Sequence, residues 1–231
     1  EMTDEPGPLI ASGRAADVYD LGDGTVLRRY RTAHPDLELE ARIMRHVADQ
    51  GFPVPAVHDV DGTDLIMDRI EGDTMLDRLS AAPWKVMSYA RLLARLQQRL
   101  ARIEAPTWML AEAADRSHPQ SVLHLDMHPM NVIMSPDGPV VIDWTNAAGG
   151  PPGFDGALTY VEVTTYATET PVERIGQRIF AESFRRHRGR RAVDAYLGAA
   201  CDHRLADPGT LPDERIAVAA LRKKVAGRGR T

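Results

Sequence analysis

The feature that most constrains what this chain can fold into is a change of pattern at Glu71-Gly72-Asp73. Before it, short β-like runs alternate with turn signals. "DVYDL" and "TVLRRY" flank "GDG", and "AVHDV" and "TDLIMDRI" flank "DG", so each set reads as a hairpin. Between the hairpins, "HPDLELEARIMRHVADQG" carries the signals of one helix: Asp36 as N-cap, acids in the first turn and Gly51 past the end. After residue 73 the β character nearly vanishes. "PWKVMSYARLLARLQQRLARI" spaces Val86, Ala90, Leu93, Leu96, Leu100 and Ile103 as one buried helical face, and three or four further helices close the chain. The expectation is an α+β protein in two lobes. A small antiparallel sheet with one helix occupies 1–70, residues 71–73 link, and 74–231 form a larger, mainly helical lobe.

One segment interrupts the helical half. "VLHLDMHPMNVIMSPDGPVVIDW" (122–144) sets His124, Asp126, His128, Asn131 and Asp143 among Val, Ile and Leu. "SPDG" is a strong turn signal between two β-branched runs. A hairpin folded about Asp137 brings Asn131 and Asp143 to the same open end, with Asp126 in the loop entering it. An amide and two carboxylates around one point suit Mg²⁺, which prefers oxygen ligands and keeps room for phosphate and water. A transition-metal site on His124, Asp126 and His128 is the competing reading, since imidazole and carboxylate are good donors for such ions.

A second inward-facing carboxylate lies in the first lobe. At 100° per residue, Leu37, Glu40, Ile43, Met44 and Val47 share one side of their helix, with Glu40 near the middle of the stripe. An unpaired charge there would be costly, so Glu40 calls for a cationic partner.

Composition removes several classes. The 231 residues are 43% hydrophobic, enough for a substantial core. No run approaches the roughly 18 apolar residues of a membrane helix, and the N-terminus is acidic rather than signal-like. The single cysteine, Cys201, excludes an internal disulfide and a multi-cysteine zinc site, which fits a reducing cytoplasm. Residues 1–155 hold 24 acids against 14 bases, whereas 156–231 hold 9 acids against 14 bases. The basic clusters "RRHRGRR" (185–191) and "RKKVAGRGR" (222–230) read as solvated helix faces or a frayed tail, not as a nucleic-acid site. The oligomeric state is not set by the sequence.

His-x-Asp-x-x-x-x-Asn followed by Ile-Asp-Trp resembles the catalytic and metal-binding loops of kinases. The fuller form, "HLDMHPMNVIM…VVIDW" with "GGPPGFD" after it, resembles the aminoglycoside phosphotransferase and choline kinase group of protein-kinase-like enzymes. The resemblance spans roughly residues 9 to 160. It implies a two-lobed kinase-like fold and transfer of the γ-phosphoryl of ATP, or GTP, to a hydroxyl of a small-molecule acceptor, with Mg²⁺. Asp126 takes the place of the catalytic base, and Asn131 and Asp143 those of the metal ligands. His124 braces the loop, His128 and Pro129 shape its turn, and Asp155 is a structural brace. Family members commonly carry Gly where this chain has Leu125 and Met130, which bears on loop geometry more than on chemistry.

The same resemblance pairs Glu40 with a strand cation that holds phosphates. No lysine precedes Lys85, and "TVLRRY" offers Arg28 at the matching place with Arg29 on the opposite face. "SGRAADVY" (12–19) lies where the family has its phosphate-covering loop, which makes Ser12 and Gly13 candidates. The main chain from Asp68 to Ile70 lies where the family reads adenine. A catalytically silent nucleotide-binding scaffold is the rival from another class. A protein-serine kinase is disfavoured, because no long activation segment ending in Ala-Pro-Glu follows "IDW".

Overall fold

A computed structural model describes residues 7–13, 15–32, 37–111 and 118–228. By its contacts the chain forms two compact units, 1–73 with 132–147, and 74–131 with 148–231.

The first unit is built on an antiparallel sheet of five strands: β1 (Leu9–Ser12), β2 (Ala16–Asp20), β3 (Thr25–Tyr30), β4 (Val57–Asp61) and β5 (Asp64–Asp68), in the order β1-β2-β3-β5-β4. Both expected hairpins are present. The β2–β3 turn needs Gly22 and Gly24, at φ 79° and 88°, and is fastened by side chains. Asp20 accepts from the Gly22 N–H at 3.0 Å, and Asp23 accepts from the Thr25 N–H at 3.0 Å. Helix α1 (Leu37–Asp49) follows β3, and its expected N-cap, Asp36, lies outside the described residues. Leu37, Glu40, Ile43, Met44 and Val47 are all buried, as the helical period requires.

The hairpin read at "SPDG" belongs to this unit. Strands β8 (Val132–Ser135) and β9 (Gly138–Val141) pair Val132 with Val141 and Ser135 with Gly138. The hairpin therefore centres between residues 136 and 137, not on Asp137, because Pro136-Asp137 makes a two-residue turn. Asn131 and Asp143 fall outside the ladder, so opposition across a strand pair does not describe them. The hairpin is tied to the segment after α1: the Val141 N–H bonds the Pro53 carbonyl at 2.9 Å, and buried Trp144 meets Phe52 edge-on at 5.7 Å.

The second unit is helical: α2 (Met75–Ala81), α3 (Val86–Leu100), α4 (Pro152–Thr165), α5 (Pro171–Arg188), α6 (Arg190–Ala206) and α7 (Pro212–Arg228). A short strand, β6 (Asp73–Thr74), opens it, and Thr74 with Asp77 forms a capping box on α2. Thr170 and Glu173 form another on α5, with Pro171 at the first helical position. Helix α3 buries Ala90, Leu93, Leu96 and Leu100 but stops before Ile103. Strands β7 (Ser121–Leu123) and β10 (Ala148–Gly150) form an antiparallel pair. The core gathers Leu158 and Val161 of α4, Val193, Leu197 and Cys201 of α6, and Val218 of α7, with Leu125 packed against it. Among the described residues, no helix is long and apolar enough to cross a membrane.

Candidate functional site

In the first unit the chemistry converges on Arg28. It sits mid-strand in the central strand β3, opposite Val18 and Leu65. Its Nη1 donates to Glu40 Oε1 at 2.9 Å, and its Nη2 donates to Asp143 Oδ1 and to Thr145 Oγ1, each at 3.0 Å. Tyr30, two residues on and therefore on the same face, places its ring 4.9 Å from the guanidinium carbon. The Tyr30 hydroxyl donates to Glu40 Oε2 at 2.9 Å, and Thr145 donates to Asp143 at 2.8 Å. Burial, the largest single influence on Arg28, works against its charge. Glu40 and Asp143 outweigh it, so the guanidinium is held more firmly protonated than usual. Burial, then the Glu40 charge, pushes the Tyr30 hydroxyl upward. Arg29, on the other face, forms a two-pronged pair with Asp64 at 2.8 and 2.6 Å.

Asp143 itself adopts φ 62°. A non-glycine residue there is uncommon, although Asp tolerates it better than most. The flanking contacts hold it: Trp144 donates from Nε1 to the Val141 carbonyl at 3.0 Å, and Thr145 bonds Asp143 directly.

The candidates at the β1–β2 turn already have hydrogen-bond partners. Ser12 donates to Asp17 at 2.6 Å and accepts from Arg31 at 2.7 Å, and the Gly13 N–H bonds the Ala16 carbonyl at 2.8 Å. Asp68 bonds the Ala56 backbone at both ends and meets His58 Nε2 at 2.7 Å. Ile70 is half-buried just beyond β5.

In the second unit a turn of 3₁₀ helix over Pro129–Asn131 folds Asn131 back onto Asp126. The Asn131 amide nitrogen donates to the Asp126 carbonyl at 2.9 Å and to its Oδ2 at 3.0 Å, while His128 Nε2 lies 3.3 Å from Asp126 Oδ1. His124 is wholly buried. Immediately before Asp126, Leu125 sits at φ 62°, where a bulky side chain is an outlier and glycine would be at ease. Asp155 secures that conformation by accepting from the N–H of Leu125 at 2.9 Å and of His124 at 3.2 Å. Burial raises the Asp155 carboxyl, opposed by His124, these two N–H groups and Arg188. Among the described residues no group of three His, Cys, Asp or Glu is placed to hold a metal, so the His124-Asp126-His128 metal triad is not assembled.

Four neighbours of these residues were not legible as such: Tyr30, Thr145, Glu162 and Arg188. Glu162 of α4 is buried, and its Oε2 has no hydrogen-bond partner among the described residues. Burial, then the charge of Asp126, drives its carboxyl well above the usual range, with Arg204 opposing. Arg188 corrects the reading of "RRHRGRR" as a solvated face: it is 9% exposed, because α5 ends by running into the start of α4. Its neighbour Arg185 pairs with Asp194 and Glu182.

A small antiparallel sheet bearing one helix and a separate, mainly helical unit make up a kinase-like fold. The chain belongs to the phosphotransferase enzyme family APH, whose sequence profile matches residues 7–110 and 68–196, and it is a small-molecule kinase of that family. A comparison with curated proteins finds no match. Among solved structures it is similar to a thermostable mutant of aminoglycoside phosphotransferase APH(4)-Ia in its apo form. There the identity is 16% and the TM-score 0.69, over 97% of this chain and 95% of that one. It is also similar to APH(2")-IIa in complex with gentamicin, at 12% identity and TM-score 0.65 over 97% and 90%. The amicoumacin kinase hAmiN, in complex with AMP-PNP, Ca²⁺ and Ami, aligns at 14% identity and TM-score 0.56 over 98% and 89%.

Proposed function

We propose that the chain transfers the γ-phosphoryl group of ATP or GTP to a hydroxyl of a small molecule such as an aminoglycoside, an amino alcohol or a sugar. The observation that carries this reading is Arg28, a cation fixed between Glu40 and Asp143 on the central strand. A strand cation paired with a helix glutamate is how kinase-like enzymes present positive charge to the α and β phosphates. The solved relatives named with AMP-PNP and with gentamicin support the nucleotide and the acceptor class.

In this proposal Asp126 accepts the proton of the acceptor hydroxyl as its oxygen bonds the γ phosphorus. The bond from phosphorus to the bridging oxygen breaks, and the nucleoside diphosphate leaves with that electron pair. His124 and Asp155 keep the loop in place. Ser12 and Gly13 cover the phosphates from the β1–β2 turn, and the main chain from Asp68 to Ile70 meets the base. Asn131 and Asp143 would hold Mg²⁺. Their chemistry fits: the Asn131 nitrogen is spent on Asp126, so the amide offers its oxygen, and Asp143 offers a carboxylate that is 41% exposed. Bound Mg²⁺ would neutralise phosphate charge. The fold is expected to work in the cytoplasm.

Asp126→Asn and Asp143→Ala separate these roles. An ADP-release screen over aminoglycosides, macrolides, amino alcohols, sugars and nucleosides identifies the acceptor. Asp126→Asn is then expected to keep MgATP affinity while transfer falls by about 10²–10⁴-fold. Asp143→Ala is expected to lose most of the metal-dependent affinity. Loss of MgATP binding in Asp126→Asn as complete as in Asp143→Ala would move Asp126 into the metal site. A wild type with neither MgATP-dependent thermal stabilisation nor ADP release would point to a catalytically silent scaffold.

A further inference from the structure

The residue that the sequence placed on a solvated face sits behind the candidate base. Arg188, the last residue of α5, is buried, and its Nη2 donates to the carbonyl of Pro152 in the first turn of α4. Three residues along that helix is Asp155, the carboxylate that holds the N–H groups of His124 and Leu125. The close approach depends on Gly156. A Cβ built there would lie 3.0 Å from Arg188 Cγ and 3.2 Å from its Nε, tighter than a side chain accepts without moving the arginine. Gly in a helix is less stable than Ala, so this position forgoes helix stability where the arginine needs room.

Gln97 of α3 also bonds this helix. Its Nε2 donates to Thr159 Oγ1 at 2.7 Å, and Thr159 donates to the carbonyl of Met127, the residue after Asp126. Asp155 and Thr159, one turn apart on α4, therefore grip the backbone on both sides of Asp126. Arg188 reaches this grip by its charge and its bond to Pro152, without a hydrogen bond to Asp155. Burial raises the Asp155 carboxyl, and the Arg188 field adds to the larger influence of His124 and of the two N–H groups in opposing it. A neutral carboxylic acid accepts less strongly from two N–H groups than a carboxylate does. The Leu125 conformation, unfavourable for its side chain, depends on those bonds.

We propose that Arg188 is a positioning residue for Asp126, holding the first turn of α4 and its Asp155 carboxylate against the backbone of His124 and Leu125. The proposal rests on the assignment of Asp126 as base only for its kinetic consequence; its structural part stands alone.

The test is made on the full chain with Arg188→Met, Arg188→Lys, Gly156→Ala and a surface control, Arg186→Ala. Hydrogen exchange of the His124 and Leu125 amides, without ligand, is the first readout. Arg188→Met and Gly156→Ala are expected to speed exchange at these two amides by about tenfold or more over the rest of the unit. Arg188→Lys, which keeps the charge, is expected to restore most of the protection, and Arg186→Ala to match wild type. ADP release from MgATP with water as acceptor is the second readout. Arg188→Met and Gly156→Ala are expected to lower kcat by about ten- to a hundredfold with the KM for ATP unchanged. Gly156→Ala gains helix propensity, so it tests the idea even if Arg188→Met folds poorly. Unchanged protection at 124 and 125, or faster exchange spread evenly over α3, α4 and α6, would overturn the proposal. If the exchange effect is present while the wild type shows neither MgATP-dependent thermal stabilisation nor ADP release with any acceptor of the screen, the positioning role stands and the phosphotransfer reading falls.

Discussion

The two units hold the acids of the candidate site in different ways. In the first, carboxylates are answered by guanidinium groups: Glu40 and Asp143 by Arg28, Asp64 by Arg29, Asp17 by Arg31 and Asp20 by Arg69. In the second, the acids closest to the chemistry are held by an amide, an imidazole and backbone N–H groups. Asp126 has Asn131 and His128, and Asp155 has two main-chain amides. A carboxylate locked to arginine serves as a fixed counter-charge and orients its partner. A carboxylate held by a neutral amide can still take a proton from a neighbour. Under the roles proposed above, the first arrangement suits presenting charge to phosphate and the second suits moving a proton.

Breaking the arginine pairing should have the larger effect. Glu40 has a side chain 1% exposed, so Arg28→Ala strands a buried charge and is expected to cost about 3–5 kcal/mol in chemical denaturation, towards the lower figure because Tyr30 still donates to it. In a double-mutant cycle with Glu40→Ala, the coupling is expected at about 0.5–3 kcal/mol. Strict additivity would show that the pair is not an energetic unit.

Glu162 sharpens the contrast from the other side. Burial, then the charge of Asp126, keeps its carboxyl protonated well above the usual range, with Asp155 and Glu214 adding to this and Arg204 opposing. The unfolded chain releases that proton at an ordinary carboxylate pH. The folded state thus binds the extra proton between the two, and stability falls as pH rises through that window. Glu162→Gln removes the titration. It is expected to exceed wild-type stability by about 1–3 kcal/mol near pH 8, with the gain shrinking below about pH 5. A gain that grows on acidification would mean that Glu162 is an ion-paired carboxylate like those of the first unit.

The smallest effect concerns the turn before Asp126. At an ordinary position Gly is less stable than Ala by roughly 0.5–1 kcal/mol. At Leu125, with φ 62°, the order should invert, with Leu125→Gly more stable than Leu125→Ala by about 1 kcal/mol. Equal midpoints, or the ordinary order, would show that the turn carries no strain.

These cases show what could be read ahead of the structure. Glu40 was visible because helical period is local: its place on an apolar stripe follows from residues within two turns of it. Strand alternation likewise put Arg28 and Arg29 on opposite faces. The hairpin was visible at "SPDG", but its register shifted by half a residue once Pro136-Asp137 formed the turn. The unusual backbone at Leu125 was foreshadowed only as a departure from glycine. Thr145 and Glu162 could not be singled out, since Thr145 meets Arg28, Tyr30 and Glu40 more than a hundred residues away, and the charge acting most on Glu162 is that of Asp126, 36 residues earlier. Arg188 misled because a run of arginines looks solvated until the packing of α5 against α4 is known.

The grouping of residues 132–147 with 1–73 also sets an order of events during synthesis. When the chain up to residue 73 has left the ribosome, Arg28 has Glu40 available, but Asp143 and Thr145 are still to be made, and Phe52 lacks Trp144. About seventy further residues must be made before the chain returns, a loop closure whose entropy is met before its contacts form. Chains commonly fold domain by domain from the N-terminus at about 5–20 residues per second. At that rate the emerging sheet is expected to spend several seconds with its central arginine only half matched.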